Sequence, residues 1–150
     1  TLRRGIQGFE IQQASGLTYR LYDYHRPDQN GNMRTLHIDE ALQVLDYEQE
    51  RLPLVDYERH TNSAVNLVGD EHFFTNLLRF SQPIGRDYAT LDSFVVYICI
   101  EGTVSVHCAD TQGFEDEVLS AGELVLLPAS LNDITLVPQG ECRILETYVM

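Results

Sequence analysis

The chain has 150 residues, of which 43% are hydrophobic and five are proline, so it can build a compact domain with a real core. Its net charge is −13, because 23 acidic residues face ten arginines and no lysine. Such a surface repels phosphate backbones and anionic membranes, which excludes nucleic acid as an expected partner. The missing lysine excludes Schiff-base catalysis, and no run of about 18 apolar residues offers a transmembrane helix.

The cysteines and the amino end indicate the compartment. Cys99, Cys108 and Cys142 lie in apolar segments without a Cys-x-x-Cys spacing. An odd number of cysteines in such places is typical of buried free thiols in a reducing cytoplasm. The chain opens at Thr1 without a methionine or an apolar signal region. We therefore expect a cytoplasmic protein, and we expect Thr1 to be a cut rather than a natural start.

Two strand-like runs, residues 6–13 and 18–24, flank a turn-like Ala-Ser-Gly sequence. Side chains two positions apart share a face of a strand, so Glu10 and Gln12 are expected to point together. On paired strands, Arg20 would then lie close to both of them. From the pattern alone, the ordinary interpretation of Glu10 and Arg20 is a cross-strand ion pair on a solvated face.

Three tyrosines follow in the second run, at positions 19, 22 and 24. They either line a sugar site or simply cover the rim of a sheet. Residues 25–32 are rich in turn formers and predict one exposed loop. An apolar stripe with Asp39 and Glu40 at its start then predicts a short helix over residues 38–47.

The remaining sequence alternates short runs of Val, Ile, Tyr and Phe with Gly, Asp, Asn and Pro. It predicts a mainly β fold, an antiparallel β-sandwich or jelly roll with one short helix, and a hairpin turn at Glu101-Gly102. The eight predicted strands are residues 63–68, 73–80, 93–100, 103–108, 115–119, 123–127, 134–137 and 142–149.

Two stretches resemble known families. The sequence Glu10-Ile-Gln-Gln, three small residues, Leu17-Thr-Tyr-Arg-Leu-Tyr-Asp-Tyr, and then Arg34-Thr-Leu-His before a helix resembles type I mannose-6-phosphate isomerases. The second half, with a strand-turn-strand pattern from Phe94 and a Gly122 to Pro128 spacing, resembles a cupin. It lacks the His-x-His pair of metal-binding cupins, and Asp133 stands near the position of their last histidine. The resemblance implies a remnant of a first cupin plus a connecting helix over residues 1–52, and a cupin-like domain without a metal motif over residues 53–150.

The isomerase resemblance implies a definite chemistry. Members of that family are zinc enzymes that interconvert mannose 6-phosphate and fructose 6-phosphate by moving a proton between neighbouring carbons. By position, Glu10 and Arg20 match the family's catalytic residues, and we expect Gln12 and Tyr19 to contact the substrate. The family's metal ligands would lie before Thr1, so no zinc is expected on this chain. The expectation is thus the carboxy-terminal portion of such an enzyme, truncated and inactive by itself.

Several alternatives stay open beside that resemblance. The five histidines are scattered, at positions 25, 37, 60, 72 and 107, and no spacing demands a shared metal. No nucleophile elbow or Gly-rich phosphate loop occurs. The competing function is a cupin-like sugar-binding or regulatory module without catalysis, and a purely structural or dimerising domain is a third. An unpaired sheet edge near residues 6–13 would favour a homodimer.

Overall fold

The structure is a computed structural model that describes residues 8–12, 14–48, 55–109 and 116–150. The chain divides into two compact units, Thr1–Leu54 and Val55–Met150. The sequence-based division was drawn at residues 52 and 53, and the cupin ancestry of the first unit stays a prediction. Among the described residues, no helix has the length and the apolar character needed to cross a membrane.

The first unit contains a helix, α1, at Ile38–Val44. Asp39 and Glu40 occupy its first turn, where carboxylates favour the helix dipole, and Ala41 is its buried residue. The helix ends three residues before the predicted end, because Leu45 has extended backbone angles. This confirms one short helix near the predicted place.

The two predicted strands of the first unit are wrong over the residues that the structure describes, 8–12 and 18–24. The apolar side chains there do not form a buried face, since Leu17, Tyr19 and Leu21 stay exposed. Alternation of side chains alone therefore did not create a sheet. The remaining part of the proposed sheet edge, residues 6, 7 and 13, lies outside the described residues.

The second unit is built from β-strands. They are β1 (Ser63–Gly69), β2 (Phe74–Phe80), β3 (Ile84–Asp87), β4 (Val95–Glu101), β5 (Thr103–Cys108), β6 (Glu117–Ser120), β7 (Leu124–Leu127), β8 (Asp133–Pro138) and β9 (Cys142–Tyr148). All eight predicted strands are found, and β3 was missed. It is short, contains a glycine and two charged residues, and therefore offers no apolar run.

These strands form two antiparallel sheets. One has the order β1-β2-β9-β4-β7 and the other the order β3-β8-β5-β6. From β2 to β9 the chain alternates between the sheets except at β5 and β6, which are neighbours in the smaller sheet. This is the pattern of a jelly roll and confirms the predicted mainly β, cupin-like fold class. β9, the last strand in sequence, lies between β2 and β4 near the middle of the larger sheet.

The predicted hairpin at Glu101-Gly102 is wrong. β4 pairs with β7 and β9, whereas β5 pairs with β6 and β8, so the chain passes from one sheet to the other at this turn. Gly102 has φ +82°, and a Cβ there would lie 2.4 Å from the carbonyl oxygen of Glu141. Only glycine fits both the left-handed backbone and this close approach.

The core lies between the two sheets, because each strand directs alternate side chains inward. On β4, Val95, Tyr97 and Cys99 are buried, while the residues between them are only partly covered. Val104 and Val106 of β5 face them from the smaller sheet and are also fully buried. Burial of this apolar surface is the main stabilising contribution to the second unit.

Candidate functional site

Arg20, the residue that the sequence singled out, is held in place by the segment that contains Thr35 and His37. Its backbone N–H donates to Nδ1 of His37 at 3.2 Å, and the N–H of His37 donates back to the carbonyl of Arg20 at 2.8 Å. Its Nη1 donates to the carbonyl of Thr35 at 2.9 Å. The imidazole of His37 therefore fixes the Arg20 backbone, and it makes no side-chain cap on α1.

The other three predicted site residues are less constrained. Glu10, Gln12 and Tyr19 are all exposed. Among the described residues, no ion pair joins Glu10 to Arg20, so the cross-strand ion pair suggested by the pattern is wrong. The structure anchors Arg20 only, and the roles of the other three stay predictions.

Asp23 forms the strongest charge cluster of the first unit. It accepts a hydrogen bond from Nε of Arg34 at 2.6 Å, a second bond from Nη2 of the same guanidinium, and one from Arg26 at 3.3 Å. The hydrogen bond from Arg34 holds the pKa of Asp23 below its usual range, and the same contact raises the pKa of Arg34. Asp23 and Arg34 therefore stay ionised together and join two segments that lie 11 residues apart in the chain.

The segment between these residues is the exposed loop that the turn formers predicted. The Asp28 carboxylate accepts backbone N–H bonds from Asn30 and Asn32, each at 2.8 Å, and Gly31 adopts φ +82°. A bridge between Pro27 and Met33 closes the loop. A shallow cleft beside it is lined by Tyr22, Asp23, His25, Arg26, Met33, Arg34 and Leu36.

The tyrosines of this region do not cover a sheet. The rings of Tyr22 and Tyr24 meet edge to face with centroids 5.0 Å apart, and both side chains are largely exposed. Exposed aromatic rings beside guanidinium groups suit a polar organic ligand, because the rings supply contact area and the arginines supply fixed donors.

The described residues do not fit a zinc ion. Among them, no group of three or more His, Cys, Asp or Glu side chains lies close enough to hold a metal. Zinc sites need at least three such ligands at about 2.0–2.3 Å.

The interior of the jelly roll contains an ion pair between Arg86 and Glu146. The buried carboxylate of Glu146 on β9 accepts bonds from Nε of Arg86 at 2.7 Å and from Nη2 of Arg86 at 2.9 Å. Asn76 donates to it at 2.6 Å, and the hydroxyl of Tyr88 donates to its other oxygen. Tyr88 also contacts the hydroxyl of Tyr97, so the buried carboxylate and both tyrosine hydroxyls of the cluster have partners.

No local sequence pattern selects Asp23, Arg34 or the Arg86–Glu146 pair. Asp23 and Arg34 lie in the stretch that resembles the isomerase family. Their contact could not be predicted from periodicity, because the two residues are 11 positions apart in irregular backbone. Arg86 lies on the missed strand β3, and Glu146 is 60 positions away from it. A charged residue at an inward position of β9 was the one available sign, because a core position normally requires an apolar side chain.

Comparison with known proteins finds similarity to proteins that are named mannose-6-phosphate isomerase. The chain is 50% identical over 149 residues to "Probable mannose-6-phosphate isomerase GmuF" of Bacillus subtilis, covering 98% of this chain and 45% of that protein. It is 43% identical over 58 residues to mannose-6-phosphate isomerase ManA of the same organism, covering 39% of this chain and 16% of ManA. No family model matches the chain.

A solved structure has the same fold. The crystal structure of the mannose 6-phosphate isomerase from Bacillus subtilis superimposes with a TM-score of 0.63 at 24% identity, over 87% of this chain and 40% of that one. The chain thus spans less than half of the length of each relative described. On the sequence similarity that covers almost all of it, the chain belongs to the mannose-6-phosphate isomerase family.

Proposed function

We propose that this chain forms part of a mannose-6-phosphate isomerase, an enzyme that interconverts mannose 6-phosphate and fructose 6-phosphate. In that reaction a proton leaves C2 of the aldose and a proton is added at C1, while the hydroxyl proton moves from O2 to O1. An enediolate forms in between. The identity of 50% to GmuF over 98% of the chain supports the reaction class.

The anchored guanidinium of Arg20 is the observation on which the proposal depends. Its backbone is fixed through His37 and its Nη1 through the carbonyl of Thr35, so its remaining donors keep one direction. A guanidinium stays protonated throughout the working pH range and presents donors in a rigid fork. Such a fork suits the developing negative charge of an enediolate or a sugar-phosphate oxygen. We therefore assign Arg20 the role of stabilising that charge.

Glu10, Gln12 and Tyr19 complete the proposal. The exposed carboxylate of Glu10 is free to accept or return the proton of the reacting carbon, and Gln12 and Tyr19 offer hydrogen bonds to sugar hydroxyls. The family resemblance implies zinc, but the described residues do not hold it, and none of these roles passes through a metal ion. We expect the compartment to be the cytoplasm and the 150-residue chain to be inactive by itself.

A hybrid enzyme tests the proposal. The part of GmuF that this chain matches is replaced by this chain, and isomerase activity is measured with intact GmuF as the positive control. The hybrid is expected to turn over mannose 6-phosphate. Arg20→Met in the hybrid is expected to lower kcat by about 100-fold to 1,000-fold, the usual effect of removing one stabilising donor. Arg26→Met is the matched control, because this substitution removes the same positive charge from an exposed side chain. An active hybrid that tolerates Arg20→Met would contradict the role of Arg20.

The isolated chain provides a second test. With added zinc, it is expected to show no turnover and no saturable binding of mannose 6-phosphate at Arg20. Clear turnover that Arg20→Met abolishes would show that the chain is active alone. Tight metal-free sugar binding that needs Arg20, with no activity in the hybrid, would instead establish a non-catalytic sugar-binding module.

A further inference from the structure

A cleft on the second unit brings three arginines together. It is formed by the segment that precedes β1 and by the outward-facing side chains of β1, β2 and β9. Its lining residues are Tyr57, Glu58, Arg59, His60, Val65, Leu77, Arg79 and Arg143. The chain has ten arginines and a net charge of −13, yet three of the arginines line this one cleft, beside one carboxylate, that of Glu58. The cleft therefore offers an anion several guanidinium groups at once.

Two of these arginines lie directly opposite each other on neighbouring strands. Arg79 of β2 is the register partner of Arg143 of β9. Like charges directly opposite on one sheet face destabilise the sheet, since their Cβ atoms are only about 5 Å apart. An anion bound between the two guanidinium groups would remove that repulsion. Without a ligand, the repulsion is offset only by the carboxylates of Glu141 and Glu101 beside the two arginines.

The carboxylates around the cleft leave part of each guanidinium available. Nε of Arg79 donates to Glu141 Oε1 at 2.7 Å, and its Nη2 contacts the same oxygen. Nε of Arg143 lies 3.1 Å from Glu101 Oε2, but outside hydrogen-bonding geometry, and this buried nitrogen has no partner among the described residues. Glu141 and Glu101 therefore satisfy the two arginines incompletely, while Glu58, which lines the cleft, pairs with Nε2 of His60 at 2.6 Å.

The segment before β1 is fixed against the sheet at Asn62. Its backbone N–H donates to the carbonyl of Arg79 at 2.7 Å, and its side-chain oxygen accepts the N–H of Ser81 at 3.0 Å. This attachment brings Arg59 and His60 to the rim of the cleft. Val65 and Leu77, which are register partners on β1 and β2, form an apolar floor.

We propose that this cleft binds a small phosphate monoester, with Arg79 and Arg143 holding the phosphate and Arg59 and His60 closing over it. Guanidinium forks match phosphate oxygens bidentately, and a phosphate can bridge two of them. The half-exposed ring of Tyr57 and the apolar floor contact the organic body of the ligand. The site lies wholly within Val55–Met150 and uses none of the residues proposed for the isomerase reaction.

Inorganic phosphate is the first probe, added to the full chain and followed by NMR of the arginine side-chain Nε–Hε groups. The expected result is a saturable shift of the Arg79 and Arg143 signals at millimolar phosphate, with no such shift from sodium chloride at equal ionic strength. Arg143→Gln is expected to weaken binding about 10-fold to 100-fold, because it removes charge-assisted hydrogen bonds. Arg143→Lys keeps the charge but not the fork, and is expected to give an intermediate loss.

Two control variants make the outcome decisive. Arg26→Gln removes one positive charge outside the cleft, and Arg20→Gln removes the group proposed for the isomerase reaction. Both are expected to bind inorganic phosphate as the unaltered chain does. If phosphate shifts no arginine signal of the cleft, or if Arg26→Gln weakens binding as much as Arg143→Gln does, the site does not exist.

The last comparison separates the two sources of phosphate. In the Arg20→Gln chain, a hexose 6-phosphate is expected to bind at least as tightly as inorganic phosphate, and Tyr57→Ala is expected to weaken the hexose ester only. Equal affinities that Tyr57→Ala leaves unchanged would contradict the monoester and limit the site to free phosphate. If the cleft binds no phosphate, the role proposed for Arg20 in the hybrid enzyme is unaffected.

Discussion

Arg86 and Glu146 form a two-bond ion pair in the interior of the jelly roll, with Nε to Oε1 at 2.7 Å and Nη2 to Oε2 at 2.9 Å. Glu146 is fully buried, whereas about a quarter of the Arg86 side chain reaches solvent, at 27% exposure. Burial alone would lower the pKa of Arg86, but the hydrogen bond and the charge of Glu146 outweigh it and raise that pKa. Arg86 therefore remains charged beside an otherwise apolar core.

Breaking this pair is expected to destabilise the second unit strongly. Glu146→Gln leaves Arg86 partly buried without its counter-ion, and a loss of about 3–5 kcal/mol in the free energy of unfolding is expected. The double variant Arg86→Met with Glu146→Met is expected to lose less stability than either Glu146→Gln or Arg86→Met alone, because it leaves no uncompensated charge. Urea denaturation measures the free energy of unfolding of all three variants.

The exposed pair between Arg79 and Glu141 is the matched control. Glu141→Gln is expected to cost about 0–1 kcal/mol, since solvent screens an exposed ion pair. If Glu146→Gln were as mild as Glu141→Gln, the buried pair would have no special energetic role.

Alkaline pH is expected to destabilise the second unit through its buried tyrosines and thiols. Burial raises the pKa of Tyr88 and of Tyr97 above 10.0, and it raises the pKa of Cys142 to about 12 and that of Cys99 above 9.0. The unfolded chain then loses these protons at lower pH than the folded chain. The stabilisation is fully present below pH 9 and is lost as the pH rises above about 9–10, at about 1.4 kcal/mol per pH unit for each group.

Thermal unfolding between pH 7 and pH 11 tests this dependence. Tyr97→Phe removes one of the four groups and is expected to make the alkaline slope shallower, at a cost of about 1 kcal/mol at neutral pH for the lost hydrogen bond. A slope that Tyr97→Phe and Cys142→Ala leave unchanged would show that other groups cause the alkaline loss.

Gly102→Ala is expected to be among the most damaging single-methyl changes in the second unit. The new Cβ would meet the backbone oxygen of Glu141 at 2.4 Å, and the residue would have to keep φ +82°. The backbone strain alone costs about 1–3 kcal/mol, and the clash adds to it. Gly140→Ala isolates the strain, because Gly140 has φ +92° but open space around its Cβ position. Chemical denaturation should therefore place Gly102→Ala clearly below Gly140→Ala in stability.

Acid is expected to open the Asp23 and Arg34 contact in the first unit. Because the pKa of Asp23 is lowered by Arg34, the stabilisation from this contact is present above the usual pKa of 3.8 and is lost as the pH falls through the lowered value. Side-chain NMR of Arg34 Hε during an acid titration measures this. In Asp23→Asn, the Arg34 Hε signal at neutral pH should already match the signal that the unaltered chain shows in acid. If the substitution leaves the neutral-pH signal unchanged, the contact is contradicted.

Much of the second unit could be predicted because its strands have a local signature. Residues such as Val95, Tyr97 and Cys99 alternate with outward positions, and turn formers separate the strands. The course of the chain at Glu101-Gly102 could not be predicted, since a tight Glu-Gly turn fits both a hairpin and a passage between sheets. That choice depends on the partners of β4 and β5, which lie far away in sequence.

The site was predicted less completely than the fold. Arg20 was found through its resemblance to the isomerase family, and the structure adds the segment with Thr35 and His37 that fixes it. The Arg79 and Arg143 pair was missed, because only the register of β2 against β9 brings these two arginines together from distant parts of the sequence. Side-chain chemistry that depends on pairing of distant strands has no signal in local composition.

The position of β9 has a consequence for biosynthesis. β9 separates β2 from β4 in the larger sheet, so neither strand can complete its hydrogen bonds until the ribosome has made Tyr148 and released it from the exit tunnel. Until β9 has been made and has paired, β2 and β4 therefore expose open edges that can pair with other nascent chains. Loops closed between β2 and β9 are also long, which slows folding further. We conclude that the docking of β9 is the step that protects both β2 and β4 from pairing with other chains.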